Sequence, residues 1–132
     1  ATLLIAGRGL TDIDVPRGVE LVGEVATPSD ALRRAAVLAF PCPPTSGPKM
    51  KVLDALAWGL PVVMTPAGIE GLQVDESAVA VADDAGFAAA LIDVLQDPQR
   101  RAAMAATGRA GVLAHHTPQQ AAAARLALIE RL

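Results

Sequence analysis

Residues 46–71, SGPKMKVLDALAWGLPVVMTPAGIEG, constrain this chain more than any other stretch. Gly47-Pro48 reads as a turn that opens a helix over residues 48–58. Lys51 and Asp54 stand three apart, on neighbouring positions of one helix face. Gly59 stops the helix, and Pro61 leads an apolar run, Val62-Val63-Met64, that ends at Thr65-Pro66. A turn, a short helix with one acid and a buried strand form half of a nucleotide-binding α/β unit. The helix start offers backbone N–H groups to an anion. An acid one turn further on can accept hydrogen bonds from sugar hydroxyls.

The same alternation runs along the whole chain. Apolar runs at residues 2–6, 19–22, 37–41, 61–65 and 79–82 read as five strands. Between them lie helix signals. Thr27-Pro28-Ser29-Asp30 is a helix start, with Thr27 at the N-cap and Asp30 as the acidic third residue; this helix is expected to end near Ala35. Asp83-Asp84 is expected to cap a helix over 85–96, whose Phe87, Leu91, Val94 and Leu95 form one stripe. Asp97-Pro98 restarts a helix to about His115, and Thr117-Pro118-Gln119-Gln120 is a capping box for the last one. Strands alternating with helices imply an α/β fold: a Rossmann-like open parallel sheet with helices on both faces.

Composition narrows the function. The length, 132 residues, suits a single domain with a sizeable core. Hydrophobic residues at 52% and charged ones at 19% mark a globular chain rather than a disordered one. Net charge is −3 with no basic cluster, which argues against nucleic acid as a partner. Aromatics at 2%, with no tyrosine, remove the stacking platforms that single strands need. Cys42 is the only cysteine, so there is no internal disulfide and no cysteine zinc cluster; a reducing cytoplasm fits. No apolar run approaches the roughly 20 residues of a membrane helix.

The stretch Val52-Leu53-Asp54-Ala55-Leu56-Ala57-Trp58-Gly59-Leu60-Pro61-Val62-Val63 resembles the L-E-A-x-A-x-G-x-P-V-V motif of retaining, family-4-like glycosyltransferases with the GT-B fold. The likeness continues into Thr65-Pro66-Ala67-Gly68-Ile69-Glu70-Gly71-Leu72. Upstream, Leu3-Leu4-Ile5-Ala6-Gly7 and Val19-Glu20-Leu21-Val22-Gly23 are similar to the second and third strands of that family's C-terminal, donor-binding domain. The pieces follow in the family's order and spacing, which makes the resemblance specific. It implies an enzyme that moves a sugar, as a hexosyltransferase does, from a nucleoside-diphosphate sugar to an acceptor. It implies no cofactor and no metal, with phosphate charge met by side chains and a helix start. The family's domain begins one strand and one helix before Leu3, after an N-terminal acceptor domain. On the resemblance, therefore, this chain is expected to be a donor-domain fragment, inactive or nearly so alone, its chief partners the nucleotide sugar and that missing N-terminal domain. The full-length protein is expected in the cytoplasm, peripheral to a membrane at most.

Carried over residue by residue, the resemblance selects a donor-binding set. Asp54 stands where the family has the glutamate that holds the ribose hydroxyls, one methylene shorter; read on its own, it is a solvated helix carboxylate paired with Lys51. Ser46 stands where the family has a first glutamate near the donor hexose; its other reading is the helix N-cap. Gly47 and the N–H groups of Lys49 and Met50 are placed to take the diphosphate. Lys49 and Lys51 add positive charge at a helix end already positive, a cost that an anionic ligand relieves. Gly23 and Val25, after the second strand, fall where the family approaches the nucleobase. Glu70 is a candidate cleft carboxylate, and Arg8 a surface arginine. His115 and His116 close a helix as dipole partners rather than as metal ligands or catalytic bases. No nucleophilic triad or metal spacing is evident, so the catalytic residues are unassigned.

Two other readings stay open. A nucleotide-binding or interaction domain without transfer activity is favoured by Asp54 and Ser46 in place of glutamates. A response-regulator-like domain would need an acidic pocket after the first strand and a lysine after the fifth. Gly7-Arg8-Gly9 and Val81-Ala82-Asp83 supply neither. Leu126, Ile129 and Leu132 form an apolar stripe on the last helix, and the first strand's edge is open. Either surface would serve a homodimer.

Overall fold

The structure, a computed structural model, describes residues 1–10, 13–44, 47 and 49–131. Ser46, Pro48 and Leu132 lie outside these residues. The chain divides into two compact units, Ala1–Ala35 and Ala36–Leu132.

The first unit holds strands β1 (Leu3–Ala6) and β2 (Val19–Gly23) and helix α1 (Pro28–Leu32). The strands pair in parallel, Leu3 opposite Val19 and Ile5 opposite Leu21, with an irregularity between Ile5 and Ala6. The Thr27 N–H donates to Asp30 Oδ2 at 3.0 Å, so the expected N-cap is made. The helix stops at Leu32, and the chain continues to Ala35 through turn-like bonds from Arg34 N to Ala31 O and Ala35 N to Leu32 O. Two ion pairs dress the surface: Arg8 with Glu24 at 2.8 Å and Arg34 with Glu20 at 2.6 Å. Arg8 is thus the surface arginine its sequence context suggests.

The second unit is built on a three-stranded parallel sheet of β3 (Leu38–Phe40), β4 (Val62–Met64) and β5 (Val79–Val81), in that order. Helix α2 (Met50–Ala57) connects β3 to β4. Helices α3 (Phe87–Gln96), α4 (Pro98–His115) and α5 (Pro118–Ile129) follow β5. Short 3₁₀ turns at Pro66–Ile69 and Glu76–Ala78 fill the β4–β5 connection, which the apolar periodicity leaves blank. All the strand pairings are parallel, as alternating strands and helices demand.

β4 is central, and Val62, Val63 and Met64 are all fully buried. Such a strand reads as a continuous apolar run because both its faces are covered. Val63 packs with Ala80, Val94 and Met104, and Val37, Phe87, Ala90 and Leu91 close around them. Three of the four α3 stripe residues, Phe87, Leu91 and Val94, meet this cluster. α3 itself begins at Phe87 rather than at 85, because Asp83 Oδ1 takes the Gly86 N–H at 2.8 Å and holds that segment in a turn. At the other end of α3, the Arg101 guanidinium of α4 donates to the carbonyls of Val94 and Leu95, groups the helix cannot satisfy itself.

α2 ends as its sequence requires. Gly59, at φ +71°, sends its N–H to Leu56 O at 2.9 Å, while the Leu60 N–H returns to Ala55 O at 2.9 Å. This is the paired closure of a Schellman motif, with glycine where φ must be positive and Pro61 beyond to prevent restart. Val52, Ala55 and Leu56 are fully buried. α4 crosses close to this helix at Gly108, where an added Cβ would lie 2.6 Å from Leu56 Cδ2. α5 differs from the others. Thr117 Oγ1 accepts from the Gln120 N–H at 3.2 Å and caps it, yet none of its described side chains is buried, and Leu126, Leu128 and Ile129 are exposed.

Two stability outcomes follow. Gly108→Val should cost about 2 kcal/mol, because it overpacks against a fully buried Leu56. Removing residues 118–132 should shift the thermal midpoint by only about a degree or two, since α5 contributes no buried side chain. Thermal unfolding followed by circular dichroism checks both.

Candidate functional site

In a parallel sheet every strand ends on the same edge, and ligands of open α/β sheets bind outside that edge. Here the loops leaving Phe40, Met64 and Val81 lie along it. α2 begins in the first of these loops. The helix starts at Met50, two residues later than the Gly-Pro turn suggests, because Lys49 is extended (φ −96°, ψ 97°) and takes the N-cap position. Ser46, the alternative cap, lies outside the described residues, and no described side chain caps the start of α2. The Lys49 carbonyl accepts from the N–H groups of Val52 at 2.9 Å and Leu53 at 3.1 Å, so Met50 and Lys51 form the open first turn.

The expected site residues of this unit fall around that turn. Gly47 has φ +78° and is half-buried. Lys49 folds back instead of reaching into solvent. Its ammonium donates to the Gly47 carbonyl and faces Glu70 Oε2 at 3.8 Å, with only 9% of the side chain exposed. Glu70 therefore lies beside the α2 start, with its carboxylate largely exposed. Met50 and Lys51 are exposed. Asp54, one turn on, is half-buried, and its carboxylate has no hydrogen bond or ion pair among the described residues. The alternative pairing of Asp54 with Lys51 is not formed. Gly23 and Val25 belong to the first unit: Gly23 ends β2 at φ +73° and accepts from the Gly7 N–H at 2.8 Å, while Val25 is half-buried before Thr27.

One uncharged residue of this edge opens the second stretch of the family likeness, yet nothing in the sequence gives it a site role. Thr65 is buried at 6% exposure. Its Oγ1 accepts from the Cys42 N–H at 2.9 Å and donates to the Cys42 carbonyl at 2.7 Å. The exits of β3 and β4 are tied by this one hydroxyl. A threonine next to proline at a strand end is a weak hint in sequence, because it leaves its partner unnamed.

Other features lie apart from this edge. A shallow groove of ≈ 520 Å³ is lined by Gln73, Asp75, Gly111 and His115 among others, none of which belongs to the α2 start. The geometry of the strand ends, rather than groove size, locates the candidate site. His115 sits in the last turn of α4 as expected of a dipole partner. His116 does more: its Nε2 accepts from the Gln73 N–H at 2.9 Å and pins the β4–β5 connection to the end of α4. Among the described residues no cluster of three metal-ligating side chains forms, and no helix is long and apolar enough to cross a membrane.

With that geometry in place, the comparison with protein families is decisive. The family described as glycosyl transferases group 1 matches residues 1–97, both units up to the end of α3, and the chain belongs to it. The α/β, Rossmann-like fold and the relation to the GT-B donor half expected from the motifs accord with this membership. Glycosyl transfer is the chemistry of the family. Comparison with curated proteins gives no match.

One group of the groove has a measurable signature. Ser77 donates to Asp75 Oδ1 from its hydroxyl at 2.6 Å and from its N–H at 2.8 Å, and these bonds hold the Asp75 carboxyl below its ordinary value of 3.8. A lowered native pKa means that the contribution to stability is present above 3.8 and is lost as pH falls through the lowered value. A carboxyl titration by NMR should find Asp75 below 3.8 in the wild type and nearer to it in Ser77→Ala.

Proposed function

We propose that this chain is the donor-binding part of a glycosyltransferase, holding a nucleoside-diphosphate sugar at the start of α2 with no metal ion. The carrying observation is Asp54: a half-buried carboxylate without a partner among the described residues, one turn past the helix start, where the motif resemblance puts the ribose-binding acid. A desolvated acceptor of this kind gains most from hydroxyl donors. The ribose of the nucleotide supplies two of them.

The diphosphate belongs at the open first turn. Met50 and Lys51 offer N–H groups there, the helix dipole adds partial positive charge, and Lys49 and Lys51 add full charges. Without a ligand, Lys49 is held by Glu70 and the Gly47 carbonyl. On binding, phosphate oxygens compete for the same ammonium. On the motif resemblance, Ser46 is assigned to the sugar side of the site. Catalysis of transfer to an acceptor is assigned to the full-length protein, with the acceptor held by a separate domain. The same protein is proposed to work in the cytoplasm in carbohydrate biosynthesis.

Calorimetric titration with UDP, GDP and their sugars tests this reading. The wild type should bind one nucleotide saturably. Asp54→Ala should weaken it by about ten- to a hundredfold, the worth of hydrogen bonds to a charged group. Lys49→Met should weaken it by about tenfold and flatten its salt dependence. Equal affinity in wild type and Asp54→Ala would remove Asp54 from the site. Binding without turnover in the full-length protein would favour a non-catalytic nucleotide-binding domain.

A further inference from the structure

The geometry points to Thr65 as a positioning residue for the diphosphate site, acting through Cys42 on the loop that presents the start of α2. This inference rests on the donor-site reading above and adds to it a residue that does not touch the ligand.

The inference comes from accounting for backbone bonds where the strands end. The β3–β4 ladder runs from Leu38 N–H on Pro61 O, at 2.8 Å, to Thr65 N–H on Phe40 O, stretched to 3.4 Å. The next parallel rung would take the Cys42 N–H to the Thr65 carbonyl. That carbonyl is already engaged, because it accepts from the Gly68 N–H at 2.8 Å and begins the 3₁₀ turn Pro66–Ile69. The Thr65 hydroxyl replaces it. Oγ1 takes the Cys42 N–H and gives its own proton to the Cys42 carbonyl, so both backbone groups of a buried residue are satisfied by one side chain. β4 is thereby free to turn away while β3 stays registered one residue further.

The consequence lies downstream. Cys42 is the last buried residue before the loop that reaches Gly47 and Lys49. At its far end the loop is held by Lys49 against Glu70, which also lies beyond the exit of β4. The segment after β4 thus grips the β3–α2 loop at two points, with Thr65 the buried one. Valine at 65 keeps the shape and removes both bonds. Cys42 then loses its fixed path, and the N–H groups of Met50 and Lys51 lose theirs. Binding that depends on oriented donors is sensitive to such displacement.

The test is calorimetry with UDP and GDP on wild type, Thr65→Val and Thr65→Ser. Thr65→Val should bind about tenfold or more weakly, and Thr65→Ser, which restores the hydroxyl, should recover to within about threefold of wild type. Equal binding by valine and wild type would overturn the positioning role and leave the donor site standing. A wild type that binds neither nucleotide would overturn both. If the valine variant does not fold, amide exchange in the wild type decides. Saturation with the bound nucleotide should slow exchange at the Cys42 N–H, and an unchanged rate would overturn the proposal.

Discussion

The burial of β4 is the constraint on which the second unit depends. Three residues, Val62, Val63 and Met64, lose all contact with solvent, and β3 and β5 pair along their two edges. Each such side chain contributes about 1.5–3 kcal/mol by leaving water. The strand is short, so this stabilisation depends on register. The Schellman closure at Gly59 and the rigid Pro61 deliver the chain to β4 at one phase. A slip of one residue would exchange Val63 for its neighbours in the cluster with Val94 and Met104.

The same economy governs the edge where the strands end. Backbone groups there must find partners as the chain turns away, and two side chains provide them. The Thr65 hydroxyl continues the β3–β4 ladder by one rung, and Asp83 holds the turn before α3. The start of α2 is left open by contrast, with no cap from the described side chains and two lysines beside it. A helix start of this kind is costly to stability and useful for binding an anion. The proposed anion site rests on that open first turn of α2, whereas Asp97 and Thr117 cap the starts of α4 and α5.

Much of this was legible in the sequence, for local reasons. The five strands, the cap at Thr27, the stop at Gly59 and the restart at Asp97-Pro98 depend on residues within a few positions of each other. The family resemblance was carried by an ordered motif, and the match over residues 1–97 bears it out. What stayed hidden depends on distance in sequence. The Thr65–Cys42 bond spans 23 residues, the Gln73–His116 bond spans 43, and the pairing of Lys49 with Glu70 joins two separate loops. The delayed start of α2 escaped because Gly-Pro signals a turn without saying how many extended residues follow it. The exposed apolar stripe of α5 was also legible, and Leu126 and Ile129 are exposed as their spacing on the last helix suggests.

The measurement closest to the central claim is amide chemical-shift mapping of the isotope-labelled chain as UDP or GDP is added. Binding at the open helix start should concentrate the shifts at Gly47, Lys49, Met50, Lys51 and Asp54, with weaker ones at Thr65 and Glu70. Shifts gathered instead at Gln73, Asp75 and Gly111, around the groove beside α4, would contradict the assignment of the donor site to the start of α2.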